Sequence, residues 1–184
     1  MSALNSIFGD IQCMNDVVCS KDASLSQAPL LDSSLDFGLA KRIRNSFPYW
    51  IVGGPGCENV YTVKCDAAWR ADRSSGMGGA CYNGTLRNIA HARSFASSVL
   101  HAEGNAAIMA LKWALDEGYL HVRLVTDCLN LVMQVVGAEK AFASVNCIIH
   151  DFKSIASHFH CCSLSFCSRG VNRIAHNLAQ EALL

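Results

Sequence analysis

Tyr61-Thr62-Val63-Lys64-Cys65-Asp66-Ala67-Ala68-Trp69 is the stretch on which the reading of the whole chain turns. Tyr61, Val63, Cys65, Ala67 and Trp69 alternate with Thr62, Lys64, Asp66, Ala68 and Arg70, which is the two-residue period of a strand. Asp66 falls in its middle, where strand propensity argues against aspartate. Gly76 to Tyr82 and Leu86 to Phe95 read as two more strands, parted by the hairpin signal Asn83-Gly84. Three antiparallel strands in series follow.

Further along, the period changes. Residues 99 to 117 read as a helix, with Ala102, Ala106, Ala107, Ala110 and Ala114 on one small-residue stripe and Ile108, Leu111 and Leu115 on another. Apolar on two sides, this helix should be largely buried, with Gly118 ending it. His121 to Cys128 reads as a strand, Leu129 to Gly137 as a short helix and Val145 to Ser157 as a longer one. Cys161 to Arg169 is the last strand, and a helix starts from Asn172, an acceptable N-cap, with Ile174, Ala175, Leu178 and Ala179 turned inward. The order β-β-β-α-β-α-α-β-α fits a three-layer α/β domain, in which a five-stranded mixed sheet has helices on both faces.

Upstream, residues 1 to 56 show no sustained period, and they hold the Ser-rich stretch Ser24 to Ser34, then Pro48 and the turn-forming Gly53-Gly54-Pro55-Gly56. They read as a poorly structured extension, leaving 57 to 184 as the folded domain. Lys41-Arg42-Ile43-Arg44 reads as a solvated cluster.

Composition bounds the function. At 184 residues the chain has room for one domain and an appendage. Hydrophobic residues make up 51% and charged residues 16%, against a usual charged share of about 25%, so a packed core is expected. Lys plus Arg and Asp plus Glu are 15 each, so no bulk positive field marks a nucleic-acid binder and any such contact must be local. No apolar run approaches the roughly 18 to 20 residues that cross a bilayer. The first 25 residues carry Asp10, Asp16, Lys21 and Asp22 without the basic start and apolar core of a secretory signal, so an intracellular protein, nuclear or cytoplasmic, is expected. The ten cysteines run singly from Cys13 to Cys167 except for Cys161-Cys162, and they read as small buried apolar residues.

Three carboxylates sit in core elements among apolar neighbours: Asp66 inside a strand, Glu103 near the start of the Ala-faced helix, and Asp127 at the end of a strand. A buried unpaired carboxylate costs several kcal/mol or shifts its pKa, so something positive should compensate, and a divalent metal is the cheapest common partner. Glu103 shares the stripe of Ala106, Ala107, Ala110 and Ala114, which would aim it at the strands. Taken singly, Asp66 and Asp127 read more readily as strand-edge residues or as partners of Arg70 and Arg123. Taken together, the three fit one site.

Residues 60 to 184 resemble the ribonuclease H type 1 domain, in the version carried by plant non-LTR retrotransposons and their relatives. The resemblance is carried by Val63-Lys64-Cys65-Asp66-Ala67-Ala68-Trp69, by Ala102-Glu103-Gly104-Asn105-Ala106-Ala107, by Thr126-Asp127-Cys128, and by the tail Arg169-Gly170-Val171-Asn172-Arg173-Ile174-Ala175-His176-Asn177-Leu178-Ala179. It implies a ribonuclease H-like fold in which the strands of Asp66 and Asp127 are parallel neighbours. It also implies hydrolysis of the RNA strand of RNA-DNA hybrids with two Mg²⁺ ions, Mn²⁺ substituting, held by Asp66, Glu103 and Asp127. RNA would be told from DNA by its 2′-hydroxyls, and no residue is singled out for that contact.

Three departures qualify the likeness. Cellular members carry a fourth carboxylate where this chain has His176, a poorer magnesium ligand, so second-metal affinity should fall and His176 joins the catalytic candidates. Asp66-Ala67 replaces the more usual Asp-Gly, and no basic insertion stands between Gly137 and Val145, so grip on a hybrid should be weak and salt-sensitive. A catalytically weakened retroelement-derived domain that binds nucleic acid or protein is the competing expectation. His158, His160, Cys161 and Cys162 offer zinc-ligand chemistry, but alternation splits them across two faces. Trp69 and Trp113 read as core aromatics. Gly76-Met77-Gly78-Gly79 reads as a strand start, because no Gly-Lys-Ser/Thr or helix follows it as in a phosphate loop.

Overall fold

The computed structural model describes residues 49–53, 59–137 and 143–184. In chain order the elements are β1 (Tyr49–Gly53), β2 (Tyr61–Trp69), β3 (Ser74–Asn83), β4 (Thr85–Phe95), α1 (Val99–Asp116), β5 (His121–Thr126), α2 (Leu129–Val136), α3 (Ala143–Ala156), β6 (Cys161–Phe166) and α4 (Arg173–Glu181). The strands form one sheet in the order β1-β6-β5-β2-β3-β4. The pairs β2–β3 and β3–β4 are antiparallel, β2–β5 and β5–β6 are parallel, and β1 closes the far edge antiparallel to β6.

The expected mixed α/β sheet is present, with six strands among the described residues where five were expected. The sixth, β1, lies inside the stretch read as an extension. Its run Tyr49-Trp50-Ile51-Val52 is flanked by Pro48 and Gly53-Gly54-Pro55-Gly56, whose turn propensity outweighs so short a run in the sequence. A short apolar run bounded by turn signals is equally how a buried strand reads. Trp50 and Val52 pack on the core, and the Trp50 ring meets that of Phe152 edge-on at 5.6 Å. Residues 1–48 of the expected extension lie outside the described residues, as does the stretch 138–142 that holds most of the segment expected to lack a basic insertion.

Alternation along β2 separates two layers. Val63 and Cys65 join the core formed with α1, α2 and α3, while Lys64 and Asp66 reach the segment leading into α4 and α4 itself. On the first side, Ala106, Ala107, Ala110 and Ala114 are fully buried, so the small-residue stripe of α1 lies close on the strands. Gly104 is the contact with α3: a Cβ there would stand 2.4 Å from Ile148 Cγ2. Each fully buried Leu or Phe of this core, such as Leu111, Leu124, Leu164 and Phe152, contributes roughly 1.5–3 kcal/mol.

On the second side, α4 touches backbone. A Cβ on Gly76 would stand 2.0 Å from the Ala179 carbonyl oxygen, and one on Gly78 2.2 Å from that of Ala175. The glycine run read as a strand start is therefore a seat for α4. Gly78 pairs across the sheet with Asp66, so the approach of α4 at Ala175 brings the next residue, His176, over that aspartate. Gly79 faces the other layer, and a Cβ there would meet Trp113 at an ordinary 3.4 Å. Among the described residues no helix is long and apolar enough to cross a membrane.

The two adjacent glycines should respond differently to alanine. Gly78→Ala must lift α4 from the sheet and is expected to cost about 3 kcal/mol, whereas Gly79→Ala should cost less than about 1 kcal/mol. Urea unfolding of the two variants measures the difference.

Candidate active site

The parallel pairing of β2 with β5 sets Cys65 beside Thr126, so the residues that follow them, Asp66 and Asp127, emerge side by side. Asp66 is 3% exposed, and its Oδ2 lies 2.6 Å from Nδ1 of His176 in the first turn of α4. Asp127 follows the last residue of β5, and its Oδ1 accepts a 2.9 Å hydrogen bond from the Asn172 side-chain amide. Glu103 arrives from the opposite layer on α1, 8% exposed, and accepts from the backbone N–H of Ala67. Its Oε2 is buried without a hydrogen-bond partner.

These groups feel one another. Burial, followed by the charges of Asp66 and Asp127, pushes the Glu103 carboxyl up to about 9. Burial and then Asp127 raise Asp66 to about 6, against the opposing hydrogen bond from His176. Burial also raises the thiols of Cys65 and Cys128, and the carboxylates add to it. The site is one negative field in poorly solvated surroundings, a state that favours protonation or a cation.

A positive side chain stands against His176. Arg169 Nη2 stands 3.1 Å from Nε2 and 3.2 Å from Nδ1 of His176. A proton on Nδ1 directed at Asp66 satisfies that pair, while Arg169, about equally near both ring nitrogens, lies against the imidazole and is in line with neither lone pair. Arg169 is exposed, so water screens its charge and Asp66 remains raised.

Residues 64–182 match the family profile described as reverse transcriptase-like. The chain belongs to the reverse transcriptase-like family. Solved ribonuclease H structures share the fold. Ribonuclease H1 from Halobacterium salinarum NRC-1 superposes with a TM-score of 0.60 at 23% identity, over 67% of this chain and 97% of that one. The LC11 ribonuclease H1, solved in complex with an RNA/DNA hybrid, gives 0.59 at 20% identity, over 67% and 96%. The N-terminal ribonuclease H domain of a Mycobacterium tuberculosis protein gives 0.58 at 20%, over 68% and 94%. No curated protein matches the chain. The sixth strand of this reverse transcriptase-like domain, β1, lies before the matched segment.

Several expectations are refined. Among the described residues neither Asp66 nor Asp127 forms an ion pair with Arg70 or Arg123; the partner of Asp66 is His176. Asn172 occupies the N-cap position of α4, but its side chain makes no capping bond and turns to the site instead. The zinc-like residues are dispersed: His158 Nδ1 bonds the Ser154 carbonyl and the His160 ring packs against that of His121. Trp113 is in the core, and Trp69 donates its indole N–H to the Ala96 carbonyl. Sequence reasoning passed over Arg169, a loop charge, and the side-chain role of Asn172.

Among the described residues no three His, Cys, Asp or Glu side chains are gathered tightly enough to hold a metal ion. The three carboxyl groups act on one another without meeting at a single point. Their chemistry nevertheless suits a hard divalent cation: the donors are oxygens, and Glu103 Oε2 is a buried acceptor lacking a donor.

Glu103 makes the metal-free protein pH-dependent. Its folded value of about 9 exceeds the ordinary 4.5, so the folded state holds a proton that the unfolded chain releases, and stability falls as pH rises between those values. At pH 8 in chelator, Glu103→Gln should melt higher than the wild type, by an amount on the order of 3 kcal/mol or less. Thermal melts with and without Mg²⁺ check this: the cation should raise the wild-type melting temperature and leave the variant nearly unmoved.

Proposed function

We propose that the domain hydrolyses the RNA strand of RNA-DNA hybrids at internal positions, with Asp66, Glu103 and Asp127 holding two Mg²⁺ or Mn²⁺ ions. The observation that carries this reading is the convergence of two buried carboxyl groups, from β2 and α1, and a half-buried one at the end of β5 into one field, at a cost to stability that a domain without chemistry has no reason to bear. The motifs around these residues group it with the version carried by plant non-LTR retrotransposons. When bound, the paired cations supply an activated water and charge neutralisation at the leaving oxygen. In the reaction, water oxygen bonds to phosphorus, the bond to the 3′ oxygen breaks, and the products are a 5′-phosphate and a 3′-hydroxyl.

The side chains have separable tasks. Asp66, held by His176, lies beside Asp127, and these two carboxylates would hold the ions together with Glu103. Glu103 brings an acceptor from the opposite layer. His176 replaces an oxygen donor with a ring nitrogen already engaged with Asp66 and Arg169, which weakens the second ion's hold and favours Mn²⁺, a better match for imidazole than Mg²⁺. A second reading, a domain that binds nucleic acid without cutting it, draws on that same engagement.

Incubation of a labelled hybrid with purified protein separates the two. Cleavage is expected, faster in Mn²⁺ than in Mg²⁺, with 3′-hydroxyl products, and Asp66→Asn should lose at least about a hundredfold. His176→Asp should lower the Mg²⁺ concentration needed for half-maximal rate. A folded wild type as inert as Asp66→Asn in both metals, yet able to retain the hybrid, would install the second reading.

A further inference from the structure

Asn172 is fully buried, and its amide nitrogen makes two hydrogen bonds of 2.9 Å, one to the Cys65 carbonyl oxygen in β2 and one to Asp127 Oδ1 beyond β5. Both partners are acceptors, so only the NH₂ end can face them, and the orientation of the amide is fixed by chemistry. No other side chain meets the demand at this length. Aspartate offers no donor, and serine or threonine offers one proton for two acceptors.

The position gives up stability for this bridge. An asparagine before a helix ordinarily caps it, but this one makes no capping bond, and its Oδ1 is buried without a partner. Its backbone carbonyl accepts the first bond of α4, from His176 N–H. Asn172 and His176 are therefore one turn apart, and each reaches a different aspartate from a different strand: Asn172 takes Asp127 and His176 takes Asp66.

We propose that Asn172 is a positioning residue, tying Asp127 to the β2 backbone so that its carboxylate stays beside Asp66 and ready for a divalent cation. This rests on the reading of Asp66 and Asp127 as metal ligands. Asn172 itself touches no reacting atom. Its amide donates to Oδ1 and leaves Oδ2 for the ion, and without the tie Asp127, at the mouth of a loop and half-buried, is free to rotate away.

The test is a double-variant cycle read by Mn²⁺ binding to the full chain, using calorimetry and Mn²⁺ electron paramagnetic resonance. Asn172→Ala and Asn172→Ser should each weaken Mn²⁺ about tenfold, and Asp127→Asn should weaken it at least as much. In the Asp127→Asn background, Asn172→Ala should cost less than twofold further, because its effect passes through Asp127. Melting curves confirm folding, and if the alanine variant unfolds, the serine variant, which keeps one donor, carries the cycle. Equal losses with and without Asp127 would overturn the proposal, as would unchanged Mn²⁺ affinity in the folded single variants or a wild type that binds no Mn²⁺. A wild type that binds Mn²⁺ with the coupled pattern but cuts no hybrid would refute the hydrolase reading and leave the role of Asn172 standing.

Discussion

The close approach of α4 to β3 is the contact on which the site depends. It is made through absent side chains: at Gly76 and Gly78 helix carbonyls occupy the space a Cβ would need. Side chains at these two positions would hold α4 farther from the sheet and carry His176 and Asn172 away from their partners. With α4 lowered onto bare backbone, His176 reaches Asp66 and Asn172 reaches Asp127 and Cys65. Glycine in a strand lowers its intrinsic stability, so β3 gives up local preference to gain this proximity. Its central place in the sheet, hydrogen-bonded to β2 and β4 on either side, is what tolerates the loss.

The electrostatics follow from the same architecture. Asp66 and Asp127 are adjacent because β2 and β5 run parallel, and Glu103 meets them because the alanine stripe of α1 brings that helix close on the other face. Two tight layers thus force three carboxyl groups into a volume with little water. The raised values of Asp66 and Glu103 are the energetic record of that compression, and they arise first from desolvation and then from mutual repulsion. A structural ion pair would show the opposite sign for at least one partner. Among the described residues the opposing influences, His176 on Asp66 and the exposed Arg169 on Glu103, fall short of cancelling the rise.

How much of this was legible depended on whether a residue broke the pattern of its element. Asp66, Glu103 and Asp127 stood out because carboxylates interrupt apolar runs, and the element order from β2 to α4 followed from periodicity alone. The strand β1 was hidden by its neighbours: five residues between a proline and a glycine-rich turn carry too little alternation to outweigh the turn signals. Asn172 does stand at the N-cap position that its residue type indicates, and that fit conceals the second role of its side chain. Gly76 and Gly78 did carry a signal. Two glycines spaced by two lie on one face of a strand, which marks a close backbone approach, but whether that approach comes from a helix, a ligand or another chain is a long-range fact that local sequence does not encode.

The replacement of a carboxylate by His176 then has a consequence beyond a missing ligand. A fourth carboxylate would add to the repulsion in the pocket and make the metal-free site still less stable, while tightening it for a second cation. A histidine that hydrogen-bonds Asp66 does the reverse: it opposes the rise in the Asp66 value and links the site to Arg169. On the proposed reading the metal-free state is made more tolerable, and by the same interaction a cation would have more to displace. This 2.6 Å hydrogen bond steadies the metal-free site and, on the proposed metal-binding reading, is also what a cation would have to displace, so its loss would move stability without metal and affinity for metal in opposite directions.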